Sequence, residues 1–286
     1  MRSYLYFPGC TLRTVSRDYD SSAKACANAL GFELREMRGL LCCGAVLSNV
    51  EDNLMTKAGP NRILERAQLE GDKLVTLCAG CYNVLKRTDQ RARLVSSAQQ
   101  SINAFNEESY TGGVGVVHFL EVLRDDVGFD VIEKAVKVPL RGLEVGAYYG
   151  CLLLRPASEM KFDDPNRPSI LENLLSKLGC TPIDYPARTD CCGSYLSVGF
   201  SENSQPMSRT IIESAQSCGA KLLAVSCPLC KYNLESSQIL IDKDRMPVVY
   251  FTQLLGLALG LSPTKLELST LQMRTIREAE IGLLET

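Results

Sequence analysis

The sequence lacks tryptophan, has a single histidine and carries almost no net charge. Its 286 residues include 31 lysines and arginines against 33 aspartates and glutamates, which gives a formal charge of −2. A near-neutral chain has no electrostatic reason to bind nucleic acid or an anionic membrane surface. We therefore expect no nucleic-acid partner.

The sequence also lacks a long hydrophobic run. The longest largely apolar stretch, VVYFTQLLGLALGL at 248–261, is too short to cross a bilayer. The N-terminal MRSYLYFPGC reaches proline and cysteine too soon to form the core of a signal peptide. We expect a cytoplasmic protein without a membrane span. In a reducing compartment, its thirteen cysteines indicate metal or redox chemistry rather than a disulfide scaffold.

Signatures of an electron entry site are missing as well. We find no G-x-G-x-x-G after a strand and no P-loop lysine, so no nucleotide site is predicted. The closely spaced cysteine run of a bacterial ferredoxin is also absent. Any electrons that the chain uses are therefore expected to come from other proteins of a complex.

An internal duplication dominates the sequence. Each half contains a lone cysteine, a Cys-Cys-Gly, a Cys-x-x-Cys and an apolar segment, which read YFPGC, LCCGA, CAGC and VVHF in the first half and YYGC, DCCGS, CPLC and VVYF in the second. Between the lone cysteine and the cysteine pair lie 31 residues in the first half and 39 in the second. Between the pair and the Cys-x-x-Cys lie 34 residues in both halves. We predict two homologous modules, 1–140 and 141–262, and a helical tail at 263–286.

Coarse secondary structure repeats with the cysteines. Short strand-like segments such as SYLYF and KLLAV end just before cysteines, and helix-length segments at 52–70 and 203–218 have apolar residues at helical spacing. Alternating strands and helices predict an α/β fold in which each module has a small, mainly parallel sheet flanked by helices. The cysteines then lie at the carboxyl edge of the sheet, where such folds bind ligands.

Ten cysteines form the candidate metal ligands, five in each module: Cys10, Cys42, Cys43, Cys78, Cys81, Cys151, Cys191, Cys192, Cys227 and Cys230. Adjacent cysteines make poor disulfides, since neighbouring Cα atoms lie about 3.8 Å apart and relaxed bridges need about 4.4–6.8 Å. A structural zinc and a cubane cluster each take four ligands. Either one thiol per module is idle, or the module holds a cluster that accepts a fifth.

The twofold pattern Cys-x31–39-Cys-Cys-Gly-x33-Cys-x-x-Cys resembles the cysteine-rich CCG domain, and residues 3–262 are similar to the B subunit of heterodisulfide reductase. The segments YYGCLLLRP, FDDPNRP and PVVYFTQLLGLALG extend the resemblance. It implies a pseudo-twofold arrangement of modules, each binding a noncubane [4Fe-4S] cluster through its five cysteines. Two cysteine sulfurs would bridge irons, which explains the adjacent pairs.

The activity that the resemblance implies is the reduction of a disulfide to two thiols by one-electron steps. The substrate would be the coenzyme M–coenzyme B heterodisulfide of methanogenesis or a related small-molecule or protein-borne disulfide. Leu152 stands where many methanogen-type sequences carry histidine, so related disulfides stay open. The implied partners are the C subunit of heterodisulfide reductase, with cubane clusters, and its A subunit, with FAD and iron–sulfur clusters. A hydrogenase or formate dehydrogenase module would connect through the latter.

Two other functions remain open at this point. CCG domains also serve electron transfer in lactate- or glycolate-oxidising complexes and in some succinate or fumarate reductases. A zinc-stabilised interaction module is the third alternative.

Six residues outside the cysteine motifs are also singled out. His118 is a candidate proton donor or a packed ring, and Arg155 a candidate for binding substrate or holding a loop. Lys231 is a candidate for neutralising an anionic substrate or cluster, or a solvated lysine. Cys26, Cys180 and Cys218 fall outside the motifs, and we expect them to be buried as small hydrophobic side chains.

Overall fold

The two halves of the chain have the same topology. The computed structural model describes residues 2–39, 42–51, 53–94, 96–239 and 245–279. Each half contains a four-stranded parallel sheet, ordered β2-β1-β3-β4 in the first and β6-β5-β7-β8 in the second. Helices flank both sheets, so the predicted α/β fold with two repeated modules is confirmed.

The elements of the first half are β1 (Arg2–Phe7), α1 (Arg17–Ala29), β2 (Phe32–Glu36), α2 (Ala45–Val50), α3 (Ala58–Glu70), β3 (Lys73–Thr76), α4 (Ala79–Leu94), α5 (Ser96–Asn106), β4 (Gly115–His118), α6 (Phe119–Glu121) and α7 (Phe129–Ala135). Those of the second half are β5 (Glu144–Tyr148), α8 (Ala157–Met160), α9 (Ile170–Lys177), β6 (Thr181–Ile183), α10 (Leu196–Gly199), α11 (Ser201–Ser217), β7 (Leu222–Val225), α12 (Pro228–Ser236), β8 (Val248–Tyr250), α13 (Phe251–Ala258) and α14 (Thr270–Glu278).

The central strands are apolar on both faces because helices cover both faces of a parallel sheet. All four residues of β7 are buried, as are the last three of β3. Glycines with left-handed φ angles end the helices that lead into the outer strands: Gly31 (φ 83°) after α1 and Gly179 (φ 90°) after α9.

A topological switch point lies between the two inner strands of each sheet. From β1 the chain passes to β2 on one side and then to β3 on the other, and the second half repeats this with β5, β6 and β7. The connections leave the carboxyl ends of the inner strands in opposite directions and open a crevice there. This crevice is the place where a ligand site is expected.

Helices α1 and α13 hold the halves together. The Tyr19 and Tyr250 rings stack with centroids 3.9 Å apart and planes inclined by 3°. Next to them, the Ser22 and Thr252 hydroxyls are 2.7 Å apart, and the Cys26 thiol donates to the Thr252 carbonyl at 3.2 Å. These contacts fix the position of one sheet relative to the other.

The predicted tail contains a helix, α14, whose Ser269 hydroxyl caps it by accepting from the Gln272 N–H. Residues 280–286 of the tail lie outside the described residues, and the module boundaries at 140 and 262 stay a prediction. In the part of the chain that the structure describes, no helix is long and apolar enough to cross a membrane.

The prediction for the three cysteines outside the motifs is confirmed at two positions and wrong at one. Cys26 and Cys180 are buried. Cys218 is exposed, because it directly follows the last residue of α11, where the chain turns at Gly219 into β7.

Candidate metal centre

The motif cysteines lie at the carboxyl ends of the strands. Cys10 and Cys151 each follow an inner strand by three residues, and Cys78 and Cys227 follow the other inner strand by two. The second cysteine of each Cys-x-x-Cys is in the first turn of a helix, α4 or α12. The Cys-Cys-Gly motifs follow the outer strands β2 and β6. Each module thus gathers its cysteines at the crevice that its topology opens.

Sulfur atoms from distant parts of each module are already in contact. In the first half, the Cys81 thiol donates to Cys43 across 3.2 Å. In the second half, the sulfurs of Cys192 and Cys230 are 3.7 Å apart, and those of Cys151 and Cys191 are 3.8 Å apart. The fold therefore brings the Cys-Cys-Gly motif to the Cys-x-x-Cys in both halves.

The two cysteine groups also meet each other. The Cys78 thiol of the first half lies close enough to Cys227 of the second that the two shift each other's pKa, that of Cys78 upward and that of Cys227 downward. These are the first cysteines of the two Cys-x-x-Cys motifs, so the centres face one another across the contact between the halves.

His118 and Tyr19 contact the backbone just before the two Cys-x-x-Cys motifs. His118 is fully buried, and its Nε2 is 2.8 Å from the carbonyl oxygen of Leu77. The Tyr19 hydroxyl donates to the Ser226 carbonyl at 3.2 Å. Leu77 and Ser226 directly precede Cys78 and Cys227. His118 thus contacts the backbone before the first motif, and Tyr19 contacts the backbone before the second.

Both nitrogens of the His118 ring have backbone partners. Its Nδ1 accepts from the Leu120 N–H at 3.2 Å, so the Nε2 carries the hydrogen that faces Leu77. Burial lowers the pKa of the ring to about 4. His118 is therefore neutral at pH 7, and this geometry favours the packed ring over the proton donor that the sequence left open.

We expect His118 to make stability depend on pH. An unfolded histidine binds a proton near pH 6.5, whereas the folded ring stays neutral down to about pH 4. The unfolded state then binds more protons in this window, so stability falls as the pH falls. From pH 6.5 to 5, wild type should lose about 1.6 kcal/mol more than His118→Gln. Anaerobic urea unfolding of both proteins measures the difference, and equal losses would contradict the neutral buried ring.

Lys231 and Arg155 both have partners within the chain. The Lys231 ammonium is 2.9 Å from Glu235 and 3.8 Å from Asp18 of the first half. The Arg155 guanidinium donates to the carbonyls of Thr189 at 3.0 Å and Pro165 at 3.3 Å. The structure thus places Lys231 in an ion pair between the halves and Arg155 in a loop-holding position, and their substrate-binding roles stay predictions.

Neighbouring thiols favour ionisation at selected sulfurs. Hydrogen bonds from Cys42 and Cys81 hold the pKa of Cys43 well below its usual value, and those from Cys230 and Cys78 do the same for Cys227. A hydrogen bond from Cys151 lowers the pKa of Cys191 to about 6. Neighbouring thiols also raise the pKa of Cys42, Cys78, Cys81, Cys151 and Cys230. The thiolate, which is the form that binds metal, is therefore favoured at only some of the motif sulfurs.

The surroundings of the sulfurs fit a thiolate-bound metal centre. A Cβ on Gly9 would lie 2.9 Å from the Cys81 sulfur, and one on Gly150 would lie 3.1 Å from the Cys230 sulfur. Within the described part of the chain, the buried hydroxyls of Thr76 and Ser226, just before the Cys-x-x-Cys motifs, lack hydrogen-bond partners. The motifs of each half supply five cysteine sulfurs and no carboxylate. Such a set of ligands suits an iron–sulfur cluster or another thiophilic metal.

The sulfurs do not yet surround a common point. Among the described residues, no three Cys, His, Asp or Glu side chains are arranged to hold a metal ion.

Sequence analysis missed two buried asparagines just after the Cys-x-x-Cys motifs. Asn233 on α12 donates to the carbonyls of Cys192 at 3.1 Å and Ser194 at 3.3 Å, which holds the second Cys-Cys-Gly in place. Asn83 on α4 instead contacts the other half. The repeated Tyr-Asn in CYN and CKYN was the available signal.

Comparison with known proteins gives matches over nearly the whole chain. The CCG family, described as a cysteine-rich domain, matches residues 4–86 and 145–235. The 8-methylmenaquinol:fumarate reductase membrane anchor subunit of Wolinella succinogenes is 32% identical, covering 94% of this chain and 96% of that protein. The B subunit of the ferredoxin:CoB-CoM heterodisulfide reductase of Methanosarcina mazei is 25% identical, covering 93% and 92%.

A solved structure shares the fold. The crystal structure of a hypothetical protein from Helicobacter pylori matches with a TM-score of 0.74 and 12% identity, over 94% of this chain and 51% of that one. This chain thus spans about half of that protein, and the likeness concerns the fold alone.

Proposed function

The chain belongs to the CCG cysteine-rich domain family, with two copies of the domain, and from that premise we propose that it is the catalytic subunit of a heterodisulfide reductase-like complex. Relatives named as the B subunit of heterodisulfide reductase support an iron–sulfur protein of the electron-transfer or disulfide-reductase type, working as an oxidoreductase in a multisubunit complex. The finer proposal is that it reduces the coenzyme M–coenzyme B heterodisulfide or a related disulfide to two thiols.

The proposed cofactors are two noncubane [4Fe-4S] clusters, each held by the five motif cysteines of one half. The glycines that leave room beside Cys81 and Cys230 support this assignment. When bound, the clusters supply electrons one at a time. The chain's own contribution is to hold the two sets of motif cysteines close to each other.

The observation that carries the proposal is the closeness of the two Cys-x-x-Cys motifs: Tyr19 of the first half donates to the carbonyl of Ser226 beside Cys227, and Cys78 and Cys227 shift each other's pKa. Reduction of a disulfide requires two electrons and two protons, and it produces two separate sulfur products. A fold that turns two equivalent centres towards each other suits such a substrate, since each sulfur can be received by one half. A single-centre electron carrier does not need this arrangement.

The proposed partners supply electrons: a heterodisulfide reductase C subunit with cubane iron–sulfur clusters, an A subunit with FAD and further clusters, and through the latter a hydrogenase or formate dehydrogenase module. Exposed apolar side chains follow both Cys-Cys-Gly motifs, namely Val46, Leu47, Val198 and Phe200. Exposed apolar surface beside a redox centre suits the docking of another protein. A cytoplasmic location is part of the same proposal.

The experiment supplies the anaerobic complex with a reduced viologen dye and one disulfide at a time. The substrates are the coenzyme M–coenzyme B heterodisulfide, glutathione disulfide and an oxidised small dithiol protein. We expect two dye electrons to be consumed and two thiols to be released per disulfide for at least one substrate. Reduction of the chain by the dye without thiol release from any of them would overturn the proposal.

A second candidate is an electron-transfer role in a succinate- or fumarate-type complex. The observation that favours it is the 32% identity to the fumarate reductase protein, above the 25% to the M. mazei protein. If the complex reoxidises with fumarate, is recovered with membranes and reduces no disulfide, this candidate replaces the first.

A further inference from the structure

Asn83 connects the first half of the chain to the loop that carries a cysteine of the second. It is fully buried on α4, two residues after Cys81. Its amide Nδ2 donates to the carbonyls of Leu152 and Arg155, both at 2.8 Å, and lies 3.4 Å from the Met160 sulfur. Both carbonyls belong to the loop that begins at Cys151.

The contacted loop closes on Cys151 itself. The N–H groups of Leu154 and Arg155 donate to the Cys151 carbonyl at 3.2 and 3.0 Å. The Arg155 side chain then reaches the carbonyl of Thr189, two residues before Cys191. The sulfurs of Cys151 and Cys191 are 3.8 Å apart at the end of this path. The position of the loop therefore decides whether Cys151 meets the second Cys-Cys-Gly motif.

Other residues of α4 extend the contact along the same helix. Arg87 pairs with Glu159 at 2.7 Å, and the Gln90 amide donates to the Glu159 carbonyl at 2.8 Å. These pairs are more exposed than Asn83. Exposed ion pairs contribute little to stability. Loss of the buried Asn83 donor leaves two carbonyls without a hydrogen bond, which costs more stability.

We infer that Asn83, a residue of the first half, is a positioning residue for the metal centre of the second half. The inference rests on the proposed function only in that the motif cysteines bind metal. The helix that supplies Cys81 to one centre also holds the Cys151 loop of the other, so the second centre depends on the first half for its assembly.

The test is the metal content of the full-length chain carrying Asn83→Ala. Metal atoms per chain are counted by mass spectrometry after anaerobic purification, for iron and zinc together. We expect binding at the second centre to weaken by about 10- to 100-fold, as for other residues that orient ligands, so that about half of the metal is lost. Asn61→Ala is the matched control. Asn61 is equally buried, but its amide contacts Asn103 and Glu108 within the first half, so the metal should remain.

Two backgrounds assign the loss to one centre. In Cys191→Ser/Cys192→Ser, where the second centre is already removed, Asn83→Ala should cause no further loss. In Cys42→Ser/Cys43→Ser, where the second centre alone remains, it should remove most of the remaining metal. The reverse pattern would mean that Asn83 acts on neighbouring Cys81 and would overturn the inference, as would full metal in both backgrounds.

A milder variant keeps the test decisive if Asn83→Ala does not fold. Asn83→Ser retains one short donor and should give the same pattern with a smaller loss, whereas unchanged metal in this variant would also overturn the inference. The readout is independent of the proposed activity. A chain that binds zinc, or that reduces no disulfide, still reports which centre loses its metal.

Discussion

Disulfide reduction should fall by about a hundredfold or more in Cys191→Ser/Cys192→Ser, while about four irons per chain remain. The reason is that the two cysteine sets lie close together, with Cys78 and Cys227 near enough to shift each other's pKa. If each sulfur of the substrate needs its own centre, a protein with only one intact centre should be almost inactive rather than half as active as the wild type. The rate of thiol release and the iron content of the same sample measure this.

The corresponding Cys42→Ser/Cys43→Ser protein should behave alike, because the sulfur contacts repeat in the first half. Cys218→Ser is the control, since this cysteine is exposed at the end of α11 and outside the motifs, and it should retain activity and iron. A protein with one centre that keeps half of the activity would contradict a joint role for the two centres.

Gly193→Ala should destabilise the protein far more than Gly44→Ala, although the two glycines occupy the same position of the repeated motif. Both have left-handed φ angles, 81° and 66°, which cost other residues about 1–2 kcal/mol. A Cβ on Gly193 would also lie 2.7 Å from the Cα of Ser204 in α11, whereas one on Gly44 meets nothing closer than 3.8 Å.

The clash at Gly193 involves helix backbone, so it requires α11 to move. The Ser208 hydroxyl of the same helix donates to the Cys192 carbonyl at 2.9 Å, which links that movement to the motif. We expect Gly193→Ala to cost about 1–3 kcal/mol beyond Gly44→Ala and to lose metal from the second half. Anaerobic urea unfolding of the two variants compares them directly, and equal destabilisation would argue against the close packing of α11 on the motif.

The sequence predicts the two sheets well because the patterns that indicate strands and helices lie within short segments of the chain. Strand-like and helix-like segments alternate, and the cysteines follow the strands directly, so their place at the carboxyl edges follows from parallel pairing. The repeat adds that both halves must share one topology. Here periodicity and motif spacing are sufficient.

The contact between the halves is not predictable in the same way. It depends on which surfaces of α1 and α13 pack, and the Tyr19–Tyr250 stack that aligns them joins residues far apart in the chain. The packed position of His118, the closeness of Cys78 to Cys227 and the reach of Asn83 all follow from that packing. The exposure of Cys218 depends on the point at which α11 ends.

The most direct test of the account is the amount of iron, acid-labile sulfide and zinc per chain in protein purified without oxygen. Two four-iron centres predict about eight irons with matching sulfide and little zinc. Stoichiometric zinc with little iron, persisting after anaerobic reconstitution with iron and sulfide, would contradict the account and leave the paired cysteine sites as structural zinc sites.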